Sequence, residues 1–129
     1  MRHLSKEQIL LLHSLVIDET GGSHGVRDHN ALLSVEALPR QALFGKELYA
    51  TPYLKAAVYA HGILMNHPFI DGNKRTGMLV AGVFLEDNGF QITARRGSVA
   101  KCALKIIENH LSVQEIAQWL KKHSKPIKH

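Results

Sequence analysis

His67-Pro-Phe-Ile-Asp-Gly-Asn-Lys-Arg-Thr-Gly77 decides how this chain is read. Between His67 and Arg75 it carries a histidine, a carboxylate, an amide, a lysine and an arginine, interrupted by Pro68 and Gly72. An apolar-periodic stretch, Met78 to Leu85, follows. Proline stops a preceding helix and glycine permits a turn, so the spacing predicts a loop running into a helix N-terminus. The first N–H groups of a helix have no internal partner, and the macrodipole adds positive charge there. Such a terminus takes up phosphate.

Each side chain of the stretch has a chemical use. Gly72 lets the backbone approach a ligand or adopt positive φ. Lys74 and Arg75 supply a point charge and bidentate donors for phosphate oxygens. Asp71 is a hard oxygen ligand suited to Mg²⁺, which takes one or two carboxylates plus substrate phosphates. A histidine ionises near neutral pH, so His67 suits the role of general base toward a hydroxyl. Phe69 reads as an anchor packing the loop onto the core. Each residue also has a plainer use: Asp71 as an N-cap, the cations as solvated groups, His67 as an exposed or structural histidine. Cations in a first turn oppose the dipole, however, and the whole set at this spacing favours chemistry.

On these residues the chain resembles the Fic fold family, whose pattern reads His-x-Phe-x-Asp/Glu-Gly-Asn-Gly/Lys-Arg. With Lys74 at the variable position it is similar to the Doc (death-on-curing) toxin branch. The opening Leu4-Ser5-Lys-Glu-Gln-Ile-Leu, the segment Gly21-Gly-Ser-His-Gly-Val-Arg-Asp28 and Phe84-Leu-Glu-Asp-Asn-Gly89 extend the resemblance over nearly the whole chain. It implies an all-α bundle of about six helices with a short irregular or hairpin flap, formed by residues 1–129 as one domain. It also implies the roles: His67 as base, Asp71 as the Mg²⁺ ligand, and Gly72, Asn73, Lys74 and Arg75 as the phosphate cradle of ATP. Relatives with glycine at position 74 transfer AMP to a protein hydroxyl, whereas the Doc branch transfers the γ-phosphate. A lysine there fills and charges an anion pocket that glycine leaves open, so the nucleotide would present a different phosphorus. Phosphoryl transfer needs mainly positioning and charge neutralisation, which suits this set.

The resemblance further implies a toxin of a toxin–antitoxin pair. Its target would be a threonine of translation elongation factor Tu, and its partner a Phd-like antitoxin whose disordered tail folds on binding. Two other activities compete: AMP transfer by the same loop, and a non-catalytic module that holds nucleotide or antitoxin. Self-inhibited Fic proteins carry Ser/Thr-x-x-x-Glu-Gly/Asn in the same chain. Here Glu108-Asn109 is the one Glu followed by Gly or Asn, and position 104 is leucine. Control by a separate chain is therefore expected. Met65 stands where many Doc-like chains have a basic residue, and Gly77 where alanine is common; the glycine suggests close packing.

The rest of the sequence sets bounds. Apolar content of 45% and charged content of 21% in 129 residues are ordinary for a globular domain with a real core. One cysteine excludes an internal disulfide and fits a reducing compartment; Cys102 lies in an apolar-periodic stretch and reads as a buried, inert thiol. No leader is visible and no apolar run could span a bilayer, so a cytoplasmic location is expected. The formal charge of +5 suits a polyanionic ligand, but much of the excess sits in Lys121, Lys122, Lys125 and Lys128. Without interleaved aromatics, nucleic-acid binding is not expected except through the antitoxin. Nine histidines are too scattered for structural zinc.

The helices can be placed from their ends. Ser5 with Gln8 makes a capping box before the stripe Ile9, Leu12, Val16, which stops at Gly21-Gly22. Asp28 caps a short helix ending at Pro39. Residues 40–50 are irregular around Gly45, and by resemblance 41–49 form a target-docking flap. Thr51-Pro52 opens a helix running to about Met65. The helix after the motif reaches Asn88. Phe90 to Thr93 is extended, Ser98 caps a helix through Ile107, and Ser112 with Glu115 opens the last one.

Overall fold

The computed structural model describes residues 1–128. Six α-helices carry the fold: α1 Lys6–Thr20, α2 His29–Ala37, α3 Pro52–Asn66, α4 Asn73–Asp87, α5 Arg96–Asn109 and α6 Val113–Lys122. A 3₁₀ turn, Leu38–Arg40, follows α2, and four short strands form two antiparallel pairs. The all-α expectation is met, and the flap is a hairpin. Its strands β1 (Ala42–Leu43) and β2 (Lys46–Glu47) pair Ala42 with Glu47 and Leu43 with Lys46. Phe44 (φ 51) and Gly45 (φ 77) make the turn, the two-residue left-handed geometry that tight hairpins favour.

The caps explain where the helices start. Ser5 accepts from the Gln8 N–H while the Gln8 side chain accepts from the Ser5 N–H, and Ser112 with Glu115 repeats the arrangement. Asp28 and Thr51 cap α2 and α3 through their side chains. Ser98 does not cap α5; that helix begins three residues earlier than such a cap would start it, after Arg95, and has no side-chain cap. Packing of Val99, Cys102, Ala103 and Ile106 against the core is sufficient to start it without one.

The central element is α3, which buries Lys55, Ala56, Ala57, Val58, Tyr59, Ala60, Gly62, Ile63 and Leu64. A helix buried on most of its circumference belongs in the middle of a bundle. It packs on α4, α6 and α2. Small residues let the backbones close in. A Cβ on Gly62 would stand 3.0 Å from Val35, and one on Gly77 3.0 Å from Leu64, which is the close packing expected of Gly77. The Tyr59 hydroxyl accepts from the Leu4 N–H at 2.9 Å, fixing the N-terminal segment to the core.

One element goes beyond the sequence reading. Residues Ser124–Pro126 form a strand, β4, that pairs with β3 (Phe90–Ile92): Phe90 opposite Pro126, Gln91 opposite Lys125, Ile92 opposite Ser124. Lys125, one of the four lysines that carry much of the charge excess, therefore belongs to a pairing strand. Trp119 is half-buried and stacks on His123 with centroids 4.1 Å apart, in keeping with a core-edge residue. Among the described residues no helix is long and apolar enough to cross a membrane.

Candidate active site

The loop from His67 to Gly72 joins the C-terminus of α3 to the N-terminus of α4. His67 ends α3 in the left-handed region (φ 48, ψ 63), its N–H still bonded to the Ile63 carbonyl. That conformation costs a non-glycine residue about 1–2 kcal/mol, so neighbouring contacts must hold it. Arg27 supplies them: Nε donates to the His67 carbonyl and an Nη to the Asn66 carbonyl, both at 2.7 Å. The backbone N–H groups of Arg27 and Asp28 donate to Pro68, and Ile70 N–H donates to Gly25. Val26 and Phe69 form an isolated antiparallel bridge. The segment 21–28 is thus a second wall that keeps the 67–71 loop in place.

Glycines let that wall come close. A Cβ on Gly25 (φ 126) would stand 2.9 Å from Ile70 Cδ1, and one on Gly22 (φ 110) 3.4 Å from Asp71 Cβ. The Ser23 N–H donates to Asp71 Oδ2 at 2.8 Å, which orients this exposed carboxylate. From the other side comes His13 of α1. It is buried, its ring stacks on Phe69 at 3.8 Å with the planes 4° apart, and Nε2 donates to the Asp71 carbonyl at 2.7 Å. Phe69 is fully buried, the anchor expected of it.

Gly72 (φ 77) is the N-cap of α4 and offers no side chain to its first turn. Asn73 turns its amide back on the loop: Oδ1 accepts from the Phe69 N–H at 3.1 Å and Nδ2 donates to the Phe69 carbonyl at 2.9 Å. What Asn73 offers an anion is therefore its backbone N–H. Arg75 is paired with Glu19 of α1 at 2.9 Å, both side chains about half exposed. The Lys74 side chain is exposed and makes no hydrogen bond or ion pair among the described residues. The result is an uncapped helix terminus flanked by an oriented carboxylate and two cations, with the exposed His67 at the loop's start.

A family model described as the Fic/DOC family matches residues 3–85, a span that contains this loop, both walls and α4 as far as Leu85. The chain belongs to the Fic/DOC family. Two curated relatives place it in the Doc branch. One is the Toxin Doc of Mycolicibacterium smegmatis, 35% identical over 92 residues, covering 71% of this chain and 68% of the relative. The other is the Protein kinase doc of Escherichia phage P1, 29% identical over 122 residues, covering 95% of each chain.

The Fic/DOC loop opens beside a groove of about 820 Å³ between α1, α4 and α5. Lys74 and Arg75 line it together with Glu19, Glu86 and Arg96, and Leu15, Leu79, Val83 and Val99 are among its apolar lining. His13, Arg27 and Ser23 are the site's supporting residues that sequence reasoning missed. His13 interrupts the apolar run of α1, and a lone polar residue on a buried face was the one available signal. Arg27 and Ser23 lie within a Doc-like segment but carry no local pattern that points to the loop. Among the described residues no three His, Cys, Asp or Glu side chains cluster as a ready-made metal site.

Proposed function

We propose that the protein is a Doc-type toxin, a single domain over residues 1–129, that transfers the γ-phosphate of ATP to a Thr or Ser hydroxyl of a translation factor. Elongation factor Tu is the substrate to which the resemblance points, and a target in the translation machinery implies action in the cytoplasm. The observation that carries this reading is Lys74: a cation with no side-chain partner among the described residues, in the first turn of an uncapped helix, at the position where the resemblance separates the two transfer chemistries. The relatives named Toxin Doc and Protein kinase doc support it.

The residues divide the work. The backbone N–H groups of Asn73, Lys74 and Arg75, with Gly72 leaving room before them, face the nucleotide's phosphates. The Lys74 ammonium and the Arg75 guanidinium balance the charge that grows there. Arg75 would exchange its solvent-exposed partner Glu19 for a phosphate at little cost, since exposed pairs contribute about 0–1 kcal/mol. The target hydroxyl oxygen forms the new bond to the γ-phosphorus while the bond to the β–γ bridging oxygen breaks and ADP leaves. His67 takes the hydroxyl proton. Asp71 offers one carboxylate with an oxygen not used by Ser23. This fits Mg²⁺ held jointly with phosphate oxygens, where the ion supplies charge neutralisation.

The antitoxin reading rests on the groove. A largely apolar channel lined by α1, α4 and α5, with Lys74 and Arg75 among its lining, suits an amphipathic segment that folds on binding and shields the cations. Mass spectrometry of elongation factor Tu after incubation with the protein and Mg-ATP tests the activity. One added phosphate, lost with His67→Ala, is expected. Added AMP would make this a nucleotidyl transferase, and an unmodified factor would remove it as the target.

A further inference from the structure

Lys55 is a lysine with no exposed side-chain surface, in the first turns of α3. Its Nζ donates to the Pro39 carbonyl at 2.6 Å, just before the flap begins, and pairs with Glu47 Oε1 at 3.1 Å on the returning strand. One ammonium thus ties both ends of the hairpin to α3. Among the described residues it is the one side-chain polar contact that links the strands of the flap to a helix. The hairpin otherwise projects: Phe44 is 95% exposed, and Leu43 and Leu48 are about half exposed. Three large apolar side chains exposed within six residues make a patch of the kind that marks an interaction surface.

A buried charge is an inefficient way to stabilise a fold, because an apolar residue of similar volume would fill the site without desolvation. What this buried ammonium does supply is one defined geometry for the two groups it joins, the Pro39 carbonyl and the half-exposed Glu47 carboxylate. The geometry here is set along a single rigid element. Lys55 stands near the start of α3 and His67 caps its end, about 18 Å further along the axis at 1.5 Å per residue.

We infer that Lys55, through Glu47, is a positioning residue that holds the flap at a fixed place relative to His67, so that an extended segment of the protein substrate lies with its hydroxyl at that imidazole. The inference rests on the phosphotransferase reading for its consequence, but the anchor itself does not depend on it.

Hydrogen exchange of the full-length protein tests the anchor. In Glu47→Gln, and in Lys55→Met, which keeps the stem's volume without the charge, amides of residues 41–48 should exchange faster, on the order of tenfold, with those of 56–66 unchanged. Flap exchange equal to wild type in both variants overturns the inference, whatever the enzyme does. The second arm is transfer from Mg-ATP to elongation factor Tu. The variants should raise KM for the protein substrate on the order of tenfold, with KM for ATP and kcat within about twofold. A loosened flap with all three constants unchanged, or a fall in kcat alone, overturns the positioning role. If wild type leaves elongation factor Tu unmodified, the target reading fails while the exchange result still decides the anchor.

Discussion

The imidazole of His13 lies flat on the ring of Phe69, 3.8 Å away and within 4° of parallel, while its Nε2 reaches the carbonyl of Asp71 at 2.7 Å. A residue of α1 therefore holds two positions of a loop that lies more than fifty residues further along the chain. His13→Leu should lower stability by about 2 kcal/mol, through the lost hydrogen bond and the lost stacking. It should also weaken Mg²⁺ dependence, because the Asp71 backbone is freed. His13→Gln, which retains a donor, should recover part of both. Denaturant titration and Mg²⁺ titration of activity measure the two effects; a His13→Leu protein as stable and as Mg²⁺-responsive as wild type would refute the role.

Gly72→Ala should be costly for two reasons. The new Cβ would stand 3.0 Å from Ile17 Cδ1, and the φ of 77 is one that alanine resists. About 1–2 kcal/mol of destabilisation is expected from the backbone alone. Thermal melting checks it, and a variant that melts with wild type would mean the turn can relax to negative φ.

Lys74→Gly should shift the product from phosphate toward AMP if the side chain excludes the alternative nucleotide pose. Lys74→Met, which keeps the bulk but not the charge, separates the steric part from the electrostatic part. Intact-mass analysis of the modified target distinguishes the two adducts. An unchanged phosphate product from Lys74→Gly would defeat the pocket argument and leave the kinase assignment standing.

Stability should fall on acidification below the usual histidine range. Burial holds His61 below its ordinary value, and burial, then Lys55 and Arg40, lowers His3. A folded state that disfavours the charged imidazole binds fewer protons than the unfolded chain. These groups therefore detract nothing above about pH 6.5, and their penalty grows as pH falls from there to their folded values. Urea titrations between pH 7.5 and 5 should show this slope, and His61→Gln should flatten part of it. An identical slope in the variant would exclude His61 as a contributor.

Cys102 should resist alkylation in the native state. It is buried, and burial pushes its thiol up to about 11. Roughly one molecule in a thousand would then carry the thiolate at pH 8. Iodoacetamide should label it only at the rate of unfolding, and fast native labelling would show that α5 opens locally.

Much of this protein is legible along the chain because its signals are local. Capping boxes at Ser5 and Ser112, the caps Asp28 and Thr51, and the stops at Gly21 and Pro68 each involve residues within a few positions of one another. They locate six of the helix starts or ends without any tertiary knowledge. The motif from His67 to Arg75 is likewise contiguous, so the family could be read from it directly. Ser98 misled because capping is only one way to start a helix, and burial of one face of α5 outweighed it.

What tertiary structure alone decided is which distant groups share a space. The stacking of His13 on Phe69, the grip of Arg27 on the His67 carbonyl, the pairing of β3 with the C-terminal strand and the tie between Lys55 and Glu47 all join separate elements. Asn73 shows the same limit at close range: its residue type suits a phosphate cradle, yet its amide is spent on the Phe69 backbone. Periodicity and caps report the conformation of a segment and the face it buries. The rotation and crossing of packed helices determine what that face meets, and those depend on the volumes of every side chain between them.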